Sequence, residues 1–285
     1  MNVLIKNNNK IAYQSYGNSQ DKVVFICHGL GSSRIEAKLI SNLLGEGFLV
    51  VGIDRPGMGY SSFNKDRNIL NFVDDLISVA DELSIDSFSV LGTSAGAAYA
   101  LACAYRIPHR ISSLHIVSGL APLSKVTQKI SKEMRLLQLL TTRVKWLIKP
   151  IFWLSLGRLA NKIEQKDKFL LNMMQSLSDT DKELINNLTI KDYFWEACVE
   201  AYRYGSQGVA YDAILAYGND WGFSLKDITL NNIYCYHGEK DLGAPISMGK
   251  YICKAVNGKF YRYAEDGHLS TIINQIEQIK KNIES

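Results

Sequence analysis

The feature that most narrows what this chain can fold into is the spacing of its short, continuous apolar runs. Val23–Cys27 and Phe48–Ile53 are unbroken, and Phe88–Leu91 and Ile111–Val117 extend the series. Runs of this length predict strands covered on both faces, as in a parallel sheet. Helical patterns lie between them at Ile35–Leu44 and Ile69–Leu83. The second carries Phe72, Val73, Leu76, Val79, Ala80 and Leu83 at helical spacing. Two shorter strands are predicted at Val3–Ile5 and Ile11–Ser15, parted by the turn-prone Asn7-Asn8-Asn9. Strand and helix in alternation predict an α/β sheet with right-handed crossovers.

The alternation stops at residue 124. Residues 124–225 contain no buried-strand pattern and read as amphipathic helices, with Leu137, Leu140, Val144, Leu147 and Ile151 in one stripe. Pro150 is expected to break or kink that helix. The βα rhythm returns with strands at Ile233–Tyr236 and Phe260–Tyr263 and helices at Ile246–Val256 and Leu269–Ile283. The expected plan is a sheet domain built from 1–123 and 226–285, with 124–225 as a helical insertion.

Composition removes several classes. Apolar residues make up 47% and charged residues 21% of the 285, which excludes disorder of the whole. Lys+Arg 32 against Asp+Glu 28 gives a net charge of +4, too mild to predict a nucleic-acid partner. Cys27, Cys103, Cys198, Cys235 and Cys253 are scattered with no C-x-x-C, which reads as buried thiols in a reducing compartment. The longest apolar run, Ala97–Tyr105, has nine residues, where a membrane span needs about 20. The N-terminal apolar run is too short for a signal peptide. A cytoplasmic protein without a transmembrane segment is therefore expected. Its oligomeric state is not written in the sequence.

Four motifs sit just beyond predicted strands, where sites form in open α/β sheets. Gly92-Thr93-Ser94-Ala95-Gly96 follows Phe88–Leu91 and precedes the small-residue helix at Ala97–Tyr105. Alone, G-x-S-x-G is weak evidence; in a strand–turn–helix setting it predicts a serine thrust out at the sheet edge. His28-Gly29-Leu30-Gly31-Ser32-Ser33 follows Val23–Cys27. The N–H of Leu30, paired with that of Ala95, is a candidate oxyanion donor. A dinucleotide fingerprint fails here at Arg34, no Walker A sequence occurs, and neither cofactor nor metal is expected. His237-Gly238-Glu239-Lys240-Asp241 and Asp266-Gly267-His268-Leu269 follow the last two strands.

Each motif has a plain structural reading as a cap or turn. Together, Ser94, Asp241 and His268 occur in the order expected of a hydrolase on such a sheet. A serine hydroxyl is a poor nucleophile at neutral pH. A neutral imidazole can take its proton, and a buried carboxylate can fix that imidazole's tautomer.

With these residues in place, the chain resembles the α/β-hydrolase superfamily, in particular its capped members. The matching positions are the His28-Gly29 loop, Asp54-Arg55-Pro56-Gly57-Met58-Gly59-Tyr60-Ser61, the turn at Ser94, Gly238–Asp241 and Gly267-His268. The Gly205–Phe223 segment, with Gly208, Tyr211-Asp212 and Trp221, is similar to one found in many relatives. The resemblance implies an eight-strand, mostly parallel sheet flanked by helices, with an all-helical cap after the sixth strand. It also implies Ser94 as nucleophile, Asp241 as the acid, His268 as the base, and Leu30 and Ala95 as oxyanion donors. Relatives with an aspartate at the elbow are excluded by Ser94. Asp54 and Arg55 are expected to fix loop geometry.

The expected function is a serine esterase acting on a small acyl substrate of apolar or aromatic character. C–C bond hydrolysis, acyl transfer, and amide or peptide hydrolysis use the same triad and stay open, as does a receptor-like binding role. A peptidase needs a carboxylate to hold the substrate amine, for which Glu196, Glu200 and Asp212 are candidates. In the insertion, residues 124–168 carry eleven Lys/Arg and three Asp/Glu, and residues 169–220 carry three and eight. The expectation is that Trp146, Phe152 and Trp153 face the core or pocket with Met134, Met173 and Met174, and that the lysines pair with the acidic half. Peripheral membrane contact through the basic stretch is not expected on that reading.

Overall fold

The computed structural model describes residues 1–18, 22–126, 130–160, 162–175, 177–218 and 220–285. Lys129 of the basic stretch and Asn219 of the Gly205–Phe223 segment lie outside them. Among the described residues, eight strands form one sheet: β1 (Asn2–Lys6), β2 (Asn9–Gly17), β3 (Lys22–Cys27), β4 (Phe48–Ile53), β5 (Phe88–Thr93), β6 (Ile111–Val117), β7 (Ile233–Gly238) and β8 (Lys259–Tyr263). Their spatial order is β1-β2-β4-β3-β5-β6-β7-β8. β1 pairs antiparallel with β2 and β2 with β4, and every later pairing is parallel.

The apolar runs are continuous because both faces are covered. In β3, Phe25 and Cys27 pack into one layer while Val24 and Ile26 pack into the other. The first layer is closed by α2 (Asn71–Glu82), α3 (Gly96–Arg106) and α11 (Ile246–Ala255). The second is closed by α1 (Glu36–Leu44), α12 (Ser270–Asn274) and α13 (Ile276–Glu284). The single helix expected at Leu269–Ile283 is thus two, broken at Gln275, which lies outside helical geometry.

Between β6 and β7 the chain is helical: α4 (Lys132–Arg143), α5 (Ile148–Phe152), a π-helical turn (Trp153–Gly157), α6 (Arg158–Ala160), α7 (Lys166–Met174), α8 (Asp179–Ile185), α9 (Leu188–Ala201) and α10 (Gln207–Ala216). The predicted stripe is interrupted six residues earlier than expected. α4 ends at Val144, whose φ of −132° leaves the helix, and Pro150 stands in the first turn of α5. There its missing N–H costs nothing, because first-turn donors have no intrahelical acceptor. One further expectation is corrected: Trp146 and Trp153, expected in the core or pocket, are 75% and 51% exposed. No helix among the described residues is long and apolar enough to cross a membrane.

The helical segment is joined to the sheet by an apolar cluster and by buried ion pairs. Met58 of the β4–α2 loop and Leu30 of the β3–α1 loop pack with Phe169, Trp195, Tyr202 and Val209. Gly208 lies so close to Gly57 that a Cβ would fall 2.0 Å from the Gly57 carbonyl oxygen. Beside it, Asp212 receives Arg55 through both carboxylate oxygens at 2.9 and 2.7 Å, the Tyr99 hydroxyl, and Arg67 at 3.4 Å. All four side chains are essentially without solvent contact. Burial alone would raise the Asp212 carboxyl, but the two guanidinium groups outweigh it and hold it below its ordinary value.

Asp212→Asn should therefore lose about 3–5 kcal/mol of unfolding free energy at neutral pH, since Arg55 keeps its charge without a counter-ion. The carboxylate's contribution is complete above the unfolded aspartate value of about 3.9 and disappears as pH falls through the depressed folded value. In urea denaturation the gap between wild type and variant should close in acid; a gap unchanged at every pH would contradict this account.

Candidate active site

Five loops meet at the C-terminal edge of the parallel strands and enclose a cavity of about 280 Å³. Its walls include Gly29, Leu30, Glu36, Thr93, Ser94, Gly243 and His268 from the sheet side and Met173, Leu177, Phe194 and Cys198 from the helical segment. Ser94 and His268, predicted from widely separated motifs, thus line one space. Leu30 lines it too, and Ala95 stands beside Ser94 at the start of α3.

Ser94 sits between β5 and α3 with φ of 52°, in the left-handed region that non-glycine residues rarely occupy. The turn is held by Ser94 N–H donating to Val117 O at 3.0 Å and by Leu120 N–H donating to Ser94 O at 2.9 Å. Gly96 is required by a close approach: a Cβ there would lie 1.9 Å from the Cys27 carbonyl oxygen. The glycine lets α3 start directly against β3, which brings the Ser94 turn beside the His28-Gly29 loop.

His268 Nδ1 lies 2.9 Å from both Asp241 carboxylate oxygens. An ionised carboxylate only accepts, so Nδ1 carries the proton and Nε2 is left as a base. Asp241 also accepts from Gly243 N–H at 2.8 Å and Ala244 N–H at 2.7 Å, and His237 Nε2 stands 3.3 Å away. Burial works to raise the Asp241 carboxyl, but His268 and His237 outweigh it and hold the group well below the usual carboxylate range. Burial likewise works to lower His268, yet the Asp241 carboxylate holds the imidazole above its ordinary value. No hydrogen bond joins Ser94 to His268 among the described residues.

The β3–α1 loop is oriented peptide by peptide. Arg55 donates to the carbonyls of His28 at 2.6 Å and Gly29 at 3.0 Å. In a trans peptide the N–H points opposite to the C=O. The Gly29 N–H is consequently turned to Glu36, which accepts it at 3.1 Å and also accepts the Thr93 hydroxyl. The Leu30 N–H is turned away from Arg55 and takes no part in the hydrogen bonds that hold this loop. Ala95 N–H likewise donates to none of the bonds that hold the Ser94 turn.

Asp54 and Arg55 meet their expectation as loop-fixing residues. Asp54 accepts from Arg34 N–H at 2.8 Å and from Tyr60 N–H at 3.2 Å. The proposed amine-holding carboxylates do not reach the cavity. Asp212 serves Arg55 and Arg67, Glu200 is paired with Arg34 and Arg203, and Glu196 with Lys38.

Sequence reading missed Asp181. It accepts from the backbone N–H of His268 at 2.9 Å, Leu269 at 2.9 Å and Ser270 at 2.8 Å, and from the Ser270 hydroxyl. It is thereby the anchor of the His268 loop. Its only signal was Ser178-x-x-Asp181, a capping box that α8 does form. The reach across 87 residues to His268 has no local trace. Glu36 was missed for the same reason.

If the Asp241 contact sets the state of His268, NMR titration should place the wild-type imidazole above 6.5 and Asp241→Asn should bring it down. An unmoved value in the variant would refute that electrostatic assignment.

Comparisons with known proteins agree with the fold. A family model described as alpha/beta hydrolase fold matches residues 22–275. The strigolactone esterase D14 of Arabidopsis thaliana is 29% identical over 107 residues, 36% of this chain and 40% of that protein. A zearalenone hydrolase of Cladophialophora bantiana is 32% identical over 114 residues, 38% of this chain and 43% of that one. The matched segments thus span about two fifths of these relatives' lengths. Among solved structures, an esterase from Exiguobacterium antarcticum superposes with a TM-score of 0.69 at 19% identity, covering 99% of this chain and 98% of that one. The enol-lactonase of Burkholderia xenovorans LB400 gives 0.71 at 17% identity over 99% and 98%. At such identities the structural likeness speaks for the fold, and the family model, which spans most of the chain, places this protein in the α/β-hydrolase fold family.

Proposed function

We propose that this protein is a serine hydrolase that cleaves a carboxylic ester or related acyl compound through an acyl-enzyme. The observation that carries the reading is a serine on a left-handed turn sharing one cavity with an imidazole whose other nitrogen is held by a buried carboxylate. The names of the two curated relatives, an esterase and a hydrolase, point the same way.

On this reading Ser94 Oγ attacks the substrate carbonyl while His268 Nε2 takes its proton. Asp241 keeps the imidazole in the right tautomer and stabilises the imidazolium. The charge that forms on the carbonyl oxygen is met by the N–H groups of Leu30 and Ala95. Collapse expels the alcohol, which receives the proton from His268. Water, deprotonated by the same nitrogen, then releases the acid and restores Ser94. The apolar lining from Leu39, Ile40, Met173, Leu177, Phe194 and Ile272 suits an apolar or aromatic acyl group. Residues 124–225 act as the cap of this site, over a core formed by 1–123 and 226–285.

A fluorophosphonate probe should label Ser94 alone, and Ser94→Ala should abolish labelling. Folded wild-type protein that also fails to turn over a p-nitrophenyl ester would refute the proposal. With such an ester, Asp241→Asn should lower kcat by about 10³–10⁴. Because the base must be neutral, kcat/KM should rise with pH through the raised His268 value, with its acid limb above 6.5. Glu36→Ala should slow Ser94 labelling while leaving the fold intact, since it frees only the Gly29 N–H and the Thr93 hydroxyl.

A further inference from the structure

The insertion carries a surface that neither the core nor the cavity uses. Between residues 131 and 160 stand six Lys/Arg and the single acid Glu133. All six cations are exposed, and none is in a salt bridge with a described residue. The lysines that do pair across the insertion, Lys166 with Asp192 and Lys191 with Asp167, lie further along the chain.

Large apolar side chains are interleaved with these cations. On α4, Lys132, Leu136, Leu139 and Arg143 follow each other at helical spacing on one exposed face, opposite the buried Met134 and Thr141. A second face repeats the composition: Trp146, Lys149 and Trp153 recur at helical spacing, with Leu154 half exposed beside them. Trp153 and Lys149 also line a shallow groove with Tyr204, itself 70% exposed.

A solvated helix face of an ordinary monomer has no need of two exposed tryptophans among unpaired cations. A surface that is apolar, aromatic and cationic at once matches one environment closely. At the boundary of an anionic bilayer, indole rings seat at headgroup level, apolar side chains enter the acyl region and lysines meet phosphate. We propose that the α4–α6 face of the insertion docks this protein on an anionic phospholipid surface. The docking stands apart from the hydrolase reading, since no residue of the face lines the Ser94 cavity.

The full chain should co-sediment with vesicles of phosphatidylcholine and phosphatidylglycerol, and much less with phosphatidylcholine alone. Salt should release it, because screening weakens surface electrostatics. Lys145→Glu with Lys149→Glu should lower partitioning by about tenfold or more. Trp146→Ser with Trp153→Ser should lower it by about tenfold as well, and on anionic vesicles wild-type tryptophan emission should shift to the blue. Thermal melting of both double variants should match wild type, since every altered side chain is exposed. The proposal is overturned if neither vesicle type binds, or if the tryptophan variant binds as wild type does. It is also overturned if the face instead mediates self-association, seen as a concentration-dependent dimer that Trp146→Ser dissolves without any vesicle binding. A protein that binds vesicles but fails to react at Ser94 would leave the docking intact and refute only the hydrolase.

Discussion

The pairing of Arg55 with Asp212 is the interaction on which the rest of the site depends. Two residues from opposite parts of the chain, one beyond β4 and one in α10, are joined where water does not reach. The bidentate geometry leaves the guanidinium fixed in plane, and its remaining donor capacity grips the carbonyls of His28 and Gly29. Peptide planarity then decides where the opposing N–H groups point. One is taken by Glu36, and the other, on Leu30, takes no part in the hydrogen bonds that hold the loop. A lysine at position 55 would supply the charge without the planar fork.

The same logic recurs at the other loops. Glu200 and Asp54 share the Arg34 guanidinium and hold the loop after β4, while Asp181 gathers three consecutive N–H groups at the start of α12. Three carboxylates of the helical segment, Asp181, Glu200 and Asp212, are thus buried against three different loops of the sheet edge. The segment therefore braces the loops of the sheet edge. Removing it would leave Arg55 without its counter-ion, Arg34 with Asp54 alone, and the His268 backbone without its acceptor. Buried ion pairs contribute little net stability relative to apolar packing, yet a broken one is costly, so they suit the task of holding one arrangement among several. The basic face formed by α4 to α6 lies outside this network and is free to meet something else.

Much of this was legible in the sequence, and the reasons are physical. A strand covered on both faces must be apolar throughout, so β3 and β4 announce themselves, and β5 follows from its place in the alternation. Close packing at a sheet edge demands glycine, so Gly92 and Gly96 flank Ser94 visibly. The break is expected at Pro150 because proline is a strong local signal, whereas nothing in the sequence around Val144 marks the exit from helical geometry there. Trp146 and Trp153 defeat a reading from hydrophobicity because an apolar side chain need not be buried: much of any folded surface is apolar. Asp181 and Glu36 were invisible as loop anchors, since a carboxylate's partners across the fold leave no trace in its neighbours along the chain.

By itself the sequence determined the class of fold, the order of strands and helices, and the residue types poised beyond the strands. Those follow from local rules: periodicity, turn chemistry, and the need of each strand to hide its apolar side chains. Only the tertiary structure decided that Ser94 and His268 line one cavity, that Asp241 faces Nδ1 of His268, and that Asp212 and Asp181 brace the loops around them. Such contacts join residues scores of positions apart. They are set by how the layers close upon one another, which no stretch of sequence encodes alone.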